Sequence, residues 1–384
     1  MSEIALYYPY VHPRSEAWIK QAALFWPQIQ RIVPDNYPLI DTPTLARLSE
    51  EGVLKNRAPD DPAMAELGAE FARFLTEHDT AVAEAYSLDE VSSLPERQGW
   101  LNDTHLNPRI GWIHIAKLDA DAREALLDSG LAIERDDWVG MHPKLADVYM
   151  CALAGELSNR AGTTPVTDGE LHHAGAYGWR LDTVARGLLP DAELPIPNEP
   201  EAPDTAKTRF LTIAIRTLVP QGLEHIPVDR VLKLRSRHKD EFWNYRKRIA
   251  EVTNHLASLR DVSDLPTLAQ HIEIEYEKTL GKDLSDLRRL LKSQKIDTAQ
   301  TALAIKMAAP TTLLGVGVAE IAGVAVGAAA ATAIGLFSTA RGVRAQREET
   351  MAASPATWLI RIEEDLQPAG LAHTIAERVK TFLP

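Results

Sequence analysis

A single cysteine, Cys151, stands in 384 residues, so no disulfide can form within the chain and a cysteine-built zinc cage is excluded. It lies in the apolar run "DVYMCALAGEL" without electropositive neighbours, and reads as a small core residue rather than a reactive thiol. Positive charge is also scarce. The formal net charge is -13, and an acidic chain repels phosphate backbones, which disfavours nucleic acid as a partner. The first residues, "MSEIALYYPY", lack a basic region, a long apolar run and a cleavage site. No secretory signal is expected, and a reducing cytoplasm is the expected compartment.

The usual catalytic signatures are missing too. There is no G-x-S-x-G elbow and no H-E-x-x-H pair. "GVGVAEIAG" has close glycines but no terminal Lys-Ser/Thr. Gly315 and Gly317 are followed by Glu320 where a dinucleotide site needs its third glycine, and helical sequence precedes them instead of a strand. No cofactor is expected, and an enzyme is the less favoured reading.

What is present is globular. The chain is 45% hydrophobic and 25% charged, and long enough for two or three domains. "IALYYP" reads as a strand. Ser15 caps a helix in "EAWIKQAALFW" that Pro27 ends, and "IQRIVP" forms a second strand. "AMAELGAEFARFLTEH" is an amphipathic helix, and "RIGWIHIAKL" is the clearest later strand. "LAIERDDWVGMHP" fits either a strand or an extended loop. "PKLADVYMCALAGELSNRAG" is a helix with Pro143 early and Gly162 just past its end.

"LLPDAELPIPNEPEAPDTAK" alternates prolines with acids and predicts a stiff linker. Beyond it, Val231, Leu234, His238, Phe242, Tyr245, Ile249, Val252, Leu256 and Leu259 recur in three- and four-residue steps, predicting one long helix with a narrow apolar seam. The expected fold class is α+β. A small mixed strand/helix domain (1–189) and a linker (190–204) precede a mostly α-helical domain (205–384), which holds a Gly/Ala-rich helical hairpin at 307–340.

Two polar clusters offer chemistry. Asp168, His172 and His173 lie within six residues, and carboxylate plus imidazole can hold a metal. Adjacent histidines on a helix diverge by about 100°, so a turn or packing role for this segment is favoured and no metal is expected. On the long helix His238 stands three residues from both Arg235 and Glu241, so the three can be neighbours. A histidine beside a carboxylate can act as a general base, but a satisfied buried network that fixes helix register is the commoner outcome.

The strongest pattern is "LLGVGVAEIAGVAVGAAAATAIGLF". Gly315, Ala319, Gly323, Gly327, Ala331 and Gly335 recur at every fourth position, forming a small-residue stripe that lets another helix approach closely. Its few strongly apolar residues supply only about -2 to -3.5 kcal/mol of membrane insertion. A buried helical hairpin is therefore favoured over a conditional membrane hairpin flanked by Lys306 and by Arg341, Arg344 and Arg347.

Four landmarks spread along the chain, "ALYYPYVHPRSEAWIK", "GMHPKLADVYMCALAGELSNRAGTTPVTD", "VLKLRSRHKDEFWNYRKRI" and "SPATWL", together resemble a bacterial family grouped as the domain of unknown function numbered 6236. The resemblance implies a bacterial cytosolic origin and supplies no activity, cofactor or catalytic residue. Three functions stand open. The first is an interaction or scaffold protein that holds a protein partner or a second copy of itself. The second is a membrane-active effector that engages the bilayer on activation, and the third is an enzyme of unrecognised type.

Overall fold

The computed structural model describes residues 4–35, 37–94, 96, 106–169, 181–192, 194, 223–257, 278–279, 282–293, 347–352 and 354–366. Strands and helices are mixed from the start. β1 (Ile4–Tyr7) leads through α1 (Glu16–Phe25) to β2 (Gln28–Ile32), then through α2 (Pro43–Glu50) to β3 (Leu54–Arg57). Ser15 caps α1 by accepting the Trp18 N–H at 3.1 Å, and α1 stops at Trp26, immediately before Pro27. The three strands pair in parallel, as helical crossovers require.

β1 is the pivot. β2 and β3 lie on one side of it, while β7 (Thr164–Val166) pairs in parallel on the other, giving the order β3-β2-β1-β7. The connections leaving the carboxyl ends of the sheet therefore diverge beside β1. Its side chains alternate between two cores. Ala5 and Tyr7 join one cluster, and Leu6 and Tyr8 the other, so both faces of the strand are covered.

The Leu6 face packs against α3 (Asp61–Glu77), α5 (Ala120–Asp128), α6 (Pro143–Ala161) and α7 (Leu181–Leu188). α4 (Asp79–Tyr86) follows α3. α6 is buried over most of its circumference, with Cys151 fully enclosed, and ends at Gly162 in the left-handed conformation that its φ of 60° requires. A second sheet stands beside this helical layer. β4 (Gly111–His114), β5 (Ala132–Arg135) and β6 (Trp138–Met141) form an antiparallel set of order β4-β6-β5. The segment "LAIERDDWVGMHP" is thus a hairpin, turned at Asp136 with φ 50°.

α8 (Val228–Arg237), α9 (Lys239–Ala257) and α11 (Thr357–Asp365) cover the Tyr7 face, while α10 (Lys282–Ser293) lies beside α11. Val231, Leu234, Phe242, Tyr245 and Ile249 join α1 and Trp358 in one core, so segments before and after the proline-rich stretch share their apolar interior. Trp358 is fully buried and donates its indole N–H to Leu24 O at 3.0 Å.

The single long helix expected here is two. α8 ends at His238, whose φ of -116° and ψ of 44° leave the helical region, and α9 starts at the next residue. The apolar spacing survives because both helices turn the same seam inward. The break falls at the one seam position filled by a polar side chain.

At the start of the expected linker, Pro190–Ala192 form a single 3-10 turn docked on the first half. Ala192 is buried, and Asp191 pairs with Lys144 at 2.6 Å. Residues 195–204 lie outside the described residues. So do 307–340, and with them Gly315, Ala319, Gly323, Gly327, Ala331 and Gly335. Among the described residues no helix is long and apolar enough to cross a membrane.

Candidate functional site

The His238 cluster joins helices at the surface of the shared core. Its Nδ1 lies 3.3 Å from Glu241 Oε1, and its Nε2 lies 3.4 Å from Asp365 Oδ2 on α11. Arg235 is not part of it. Its guanidinium donates instead to the backbone carbonyls that end α1, reaching Trp26 O and Pro27 O at 2.8 Å each and Ala23 O as well. Four unpaired carbonyls at a helix C-terminus attract a cation, and those at the end of α1 draw Arg235 away from Glu241. Burial lowers the Arg235 pKa to about 10. The cation near Glu241 is Arg361, 3.6 Å away, which also pairs with Glu348. This arrangement ties α8, α9 and α11 together.

Asp168 follows β7 and braces the loop leaving β1. It accepts the Tyr7 hydroxyl at 2.8 Å, the Ser15 N–H at 3.1 Å and the Arg14 N–H. Burial first, and the Asp168 carboxylate second, raise the Tyr7 pKa well above its ordinary value, so the phenol stays protonated and donating. His172 and His173 lie outside the described residues. Among the described residues no three His, Cys, Asp or Glu side chains converge on a point that can hold a metal.

The loop that Asp168 holds forms one wall of a pocket. Pro9, Tyr10, Val11, His12 and Arg14 contribute from the carboxyl end of β1, and Trp112, Ile113 and His114 from β4. Tyr37, Lys117, Trp138 and Met150 complete much of the lining. The cavity holds about 120 Å³, several times the room one water needs. It opens where the parallel sheet's connections diverge, the place at which open parallel sheets bind ligands.

Local sequence shapes the aromatic wall. Trp112 is paired across the strands with Gly140, and a Cβ on Gly140 would stand 2.5 Å from Trp112 Cζ3. The missing side chain is what lets the indole lie across β6. Trp112 is pinned at its far end by donating Nε1–H to Asn107 O at 2.9 Å. Tyr37, His114 and Trp138 meet edge to face, with ring centroids 5.3–6.0 Å apart.

A buried polar network lies beside the pocket and meets it at His12. Arg31 is fully buried on β2, bound by both Asp41 oxygens at 2.6 Å and by Asn56 Oδ1 at 2.8 Å. His12 Nε2 lies 3.4 Å from Asp41 Oδ1. Burial pushes the Asp41 carboxyl up, but the His12 and Arg31 contacts outweigh it and hold it at about 2. Lys117 is 5% exposed and lines the pocket, yet has neither an ion-pair nor a hydrogen-bond partner among the described residues. Burial, with a smaller contribution from the Arg31 charge, lowers its pKa to about 7. Burial likewise lowers the His114 pKa.

Sequence reasoning passed over this site. It takes "RIGWIHIAKL" only as a strand and "YVHPR" only as part of a family landmark. The available signal was Lys117 itself, a lone cation enclosed by apolar residues just past a strand.

A model described as a family of unknown function (DUF6236) matches residues 82–367, well over half the chain. The match includes β4, Lys117 and β6, while the loop after β1 precedes it. No curated protein and no solved structure matches the chain.

Proposed function

The chain belongs to the DUF6236 family of unknown function, and we propose that it binds a small, flat organic molecule with one polar end at the carboxyl edge of its parallel sheet. The observation that carries this reading is the pocket between β1 and β4, where aromatic walls surround a few convergent polar groups. Tyr10, Tyr37, Trp112 and Trp138 offer faces and edges to a planar ring. His12, Arg14, His114 and Lys117 offer polar contacts at the same opening. The Gly140 vacancy supports a wall shaped for its indole, since an ordinary strand residue there would displace Trp112.

Titration of the full chain with benzoate, followed by tryptophan fluorescence, tests the reading. Saturable quenching that is lost in Trp138→Ala is the expected outcome. Absence of quenching by benzoate, indole and 4-formylbenzoate alike would refute it. A scaffold role for the Gly/Ala stripe rests on residues 307–340 and gains no support from the described part of the chain. The same holds for its insertion into a membrane.

A further inference from the structure

We propose that Lys117 captures an aldehyde or ketone in this pocket as a covalent imine. The proposal rests on the pocket being a small-molecule site and names the chemical class of its ligand.

The geometry singles out this amine. An ordinary buried lysine is paired with a carboxylate or donates to carbonyls, because an isolated ammonium in a low-dielectric interior is costly. Lys117 is almost completely enclosed and has no such partner among the described residues. The buried carboxylate that faces His12 is already committed. Both Asp41 oxygens are bound to Arg31, and His12 stands against the same carboxylate. The Arg31 charge adds to burial in disfavouring the Lys117 cation. The neutral amine is thus the state the surroundings favour. A lysine desolvated in an apolar pocket near another cation is the recognised condition for an amine nucleophile. An anion-binding lysine calls for the opposite arrangement, a protonated amine with room for its counter-charge.

The step balances without a co-reactant. The amine lone pair attacks the carbonyl carbon, and the carbonyl π electrons move to oxygen. Both amine protons end on that oxygen, which leaves as water when the C=N bond forms. His114 and Asp147 line the same pocket and can relay those protons. His114 Nδ1 accepts the Ala116 N–H at 3.2 Å, which places the proton of the neutral ring on Nε2.

The probe is 4-formylbenzoate, added to the full chain at pH 7.5 with cyanoborohydride to reduce any imine. Tryptic mapping follows the peptide IGWIHIAKLDADAR, residues 110–123, which stays uncut at Lys117 when that amine is modified. The expected adduct adds the mass of the aldehyde less one oxygen. It should form at Lys117 more than about tenfold faster than at exposed lysines such as Lys55 and Lys239. Excess benzoate should suppress labelling at Lys117 alone. In Lys117→Met the aldehyde should still quench tryptophan fluorescence saturably, while the adduct in that peptide disappears. Saturable quenching with Lys117 labelled no faster than the exposed lysines would overturn the imine proposal and leave the pocket reading standing. No quenching and no preferential labelling would overturn both.

Discussion

Replacing Gly140 with alanine tests how the pocket wall is built. A Cβ at this position would lie 2.5, 2.7 and 2.8 Å from Trp112 Cζ3, Cη2 and Cε3. Those atoms belong to a rigid ring held at its other end by the bond to Asn107 O, so the whole indole must move. Overpacking of this kind costs about 1–3 kcal/mol. Alanine also stiffens the unfolded chain, which returns roughly 0.4–1 kcal/mol because Gly140 is not among the glycines with positive φ. The clash prevails. The melting temperature should fall by up to roughly 3 °C, with a red shift in tryptophan emission as the ring is driven toward solvent. In a Trp112→Ala background the clash is absent, so adding Gly140→Ala should be neutral or mildly stabilising. An unchanged melting temperature and emission in the single variant would refute the packing argument.

The buried amine makes stability depend on pH. Its folded value near 7 lies below the ordinary 10.5, so the unfolded chain binds the extra proton between those values and stability rises with pH across that window. Thermal melts at pH 7 and pH 9.5 should show this rise reduced in Lys117→Met, by up to roughly 1.4 kcal/mol per pH unit, and equal slopes would contradict it. Asp41 acts in the opposite range. The stability its pairing gives is present above about pH 4 and is lost as pH falls toward its folded value of about 2. Asp41→Asn strands the buried Arg31 and should cost about 3–5 kcal/mol at pH 7 by chemical denaturation. Arg235→Lys should cost at least about 2 kcal/mol in the same assay, because one ammonium cannot reproduce the guanidinium's contacts with three carbonyls.

Local chemistry was legible wherever a short stretch decides the structure. Ser15 and Pro27 bound α1, and Pro143 and Gly162 bound α6, because caps and breakers act within a few residues. The aromatic and β-branched runs at Ile4, Ile32 and Ile113 mark β1, β2 and β4. The order of the sheet was not legible. β7 is three residues long and contains Pro165, so it carries little strand signal and is defined only by its pairing with β1. The hairpin turn was obscured because an aspartate, not a glycine, takes the positive φ at position 136. His238 was correctly placed on the buried seam, but the seam's period cannot reveal a break at which both helices keep the same face inward. Its partner Asp365 and the nearby Arg361 arrive from a helix more than a hundred residues later. Lys117 escaped notice for the same reason, since the loop after β1 and the α6 residues that share its pocket lie far from it in sequence.

The most direct test of the pocket is 19F NMR of the full chain labelled with 5-fluorotryptophan. Eight tryptophans give eight resonances, and Trp112→Phe and Trp138→Phe assign the two that line the cavity. Added benzoate should shift those two saturably while the resonances of the buried Trp26 and Trp358 stay fixed. A spectrum in which Trp112 and Trp138 do not respond, or in which Trp26 and Trp358 respond in their place, would contradict a ligand site at the carboxyl edge of the parallel sheet.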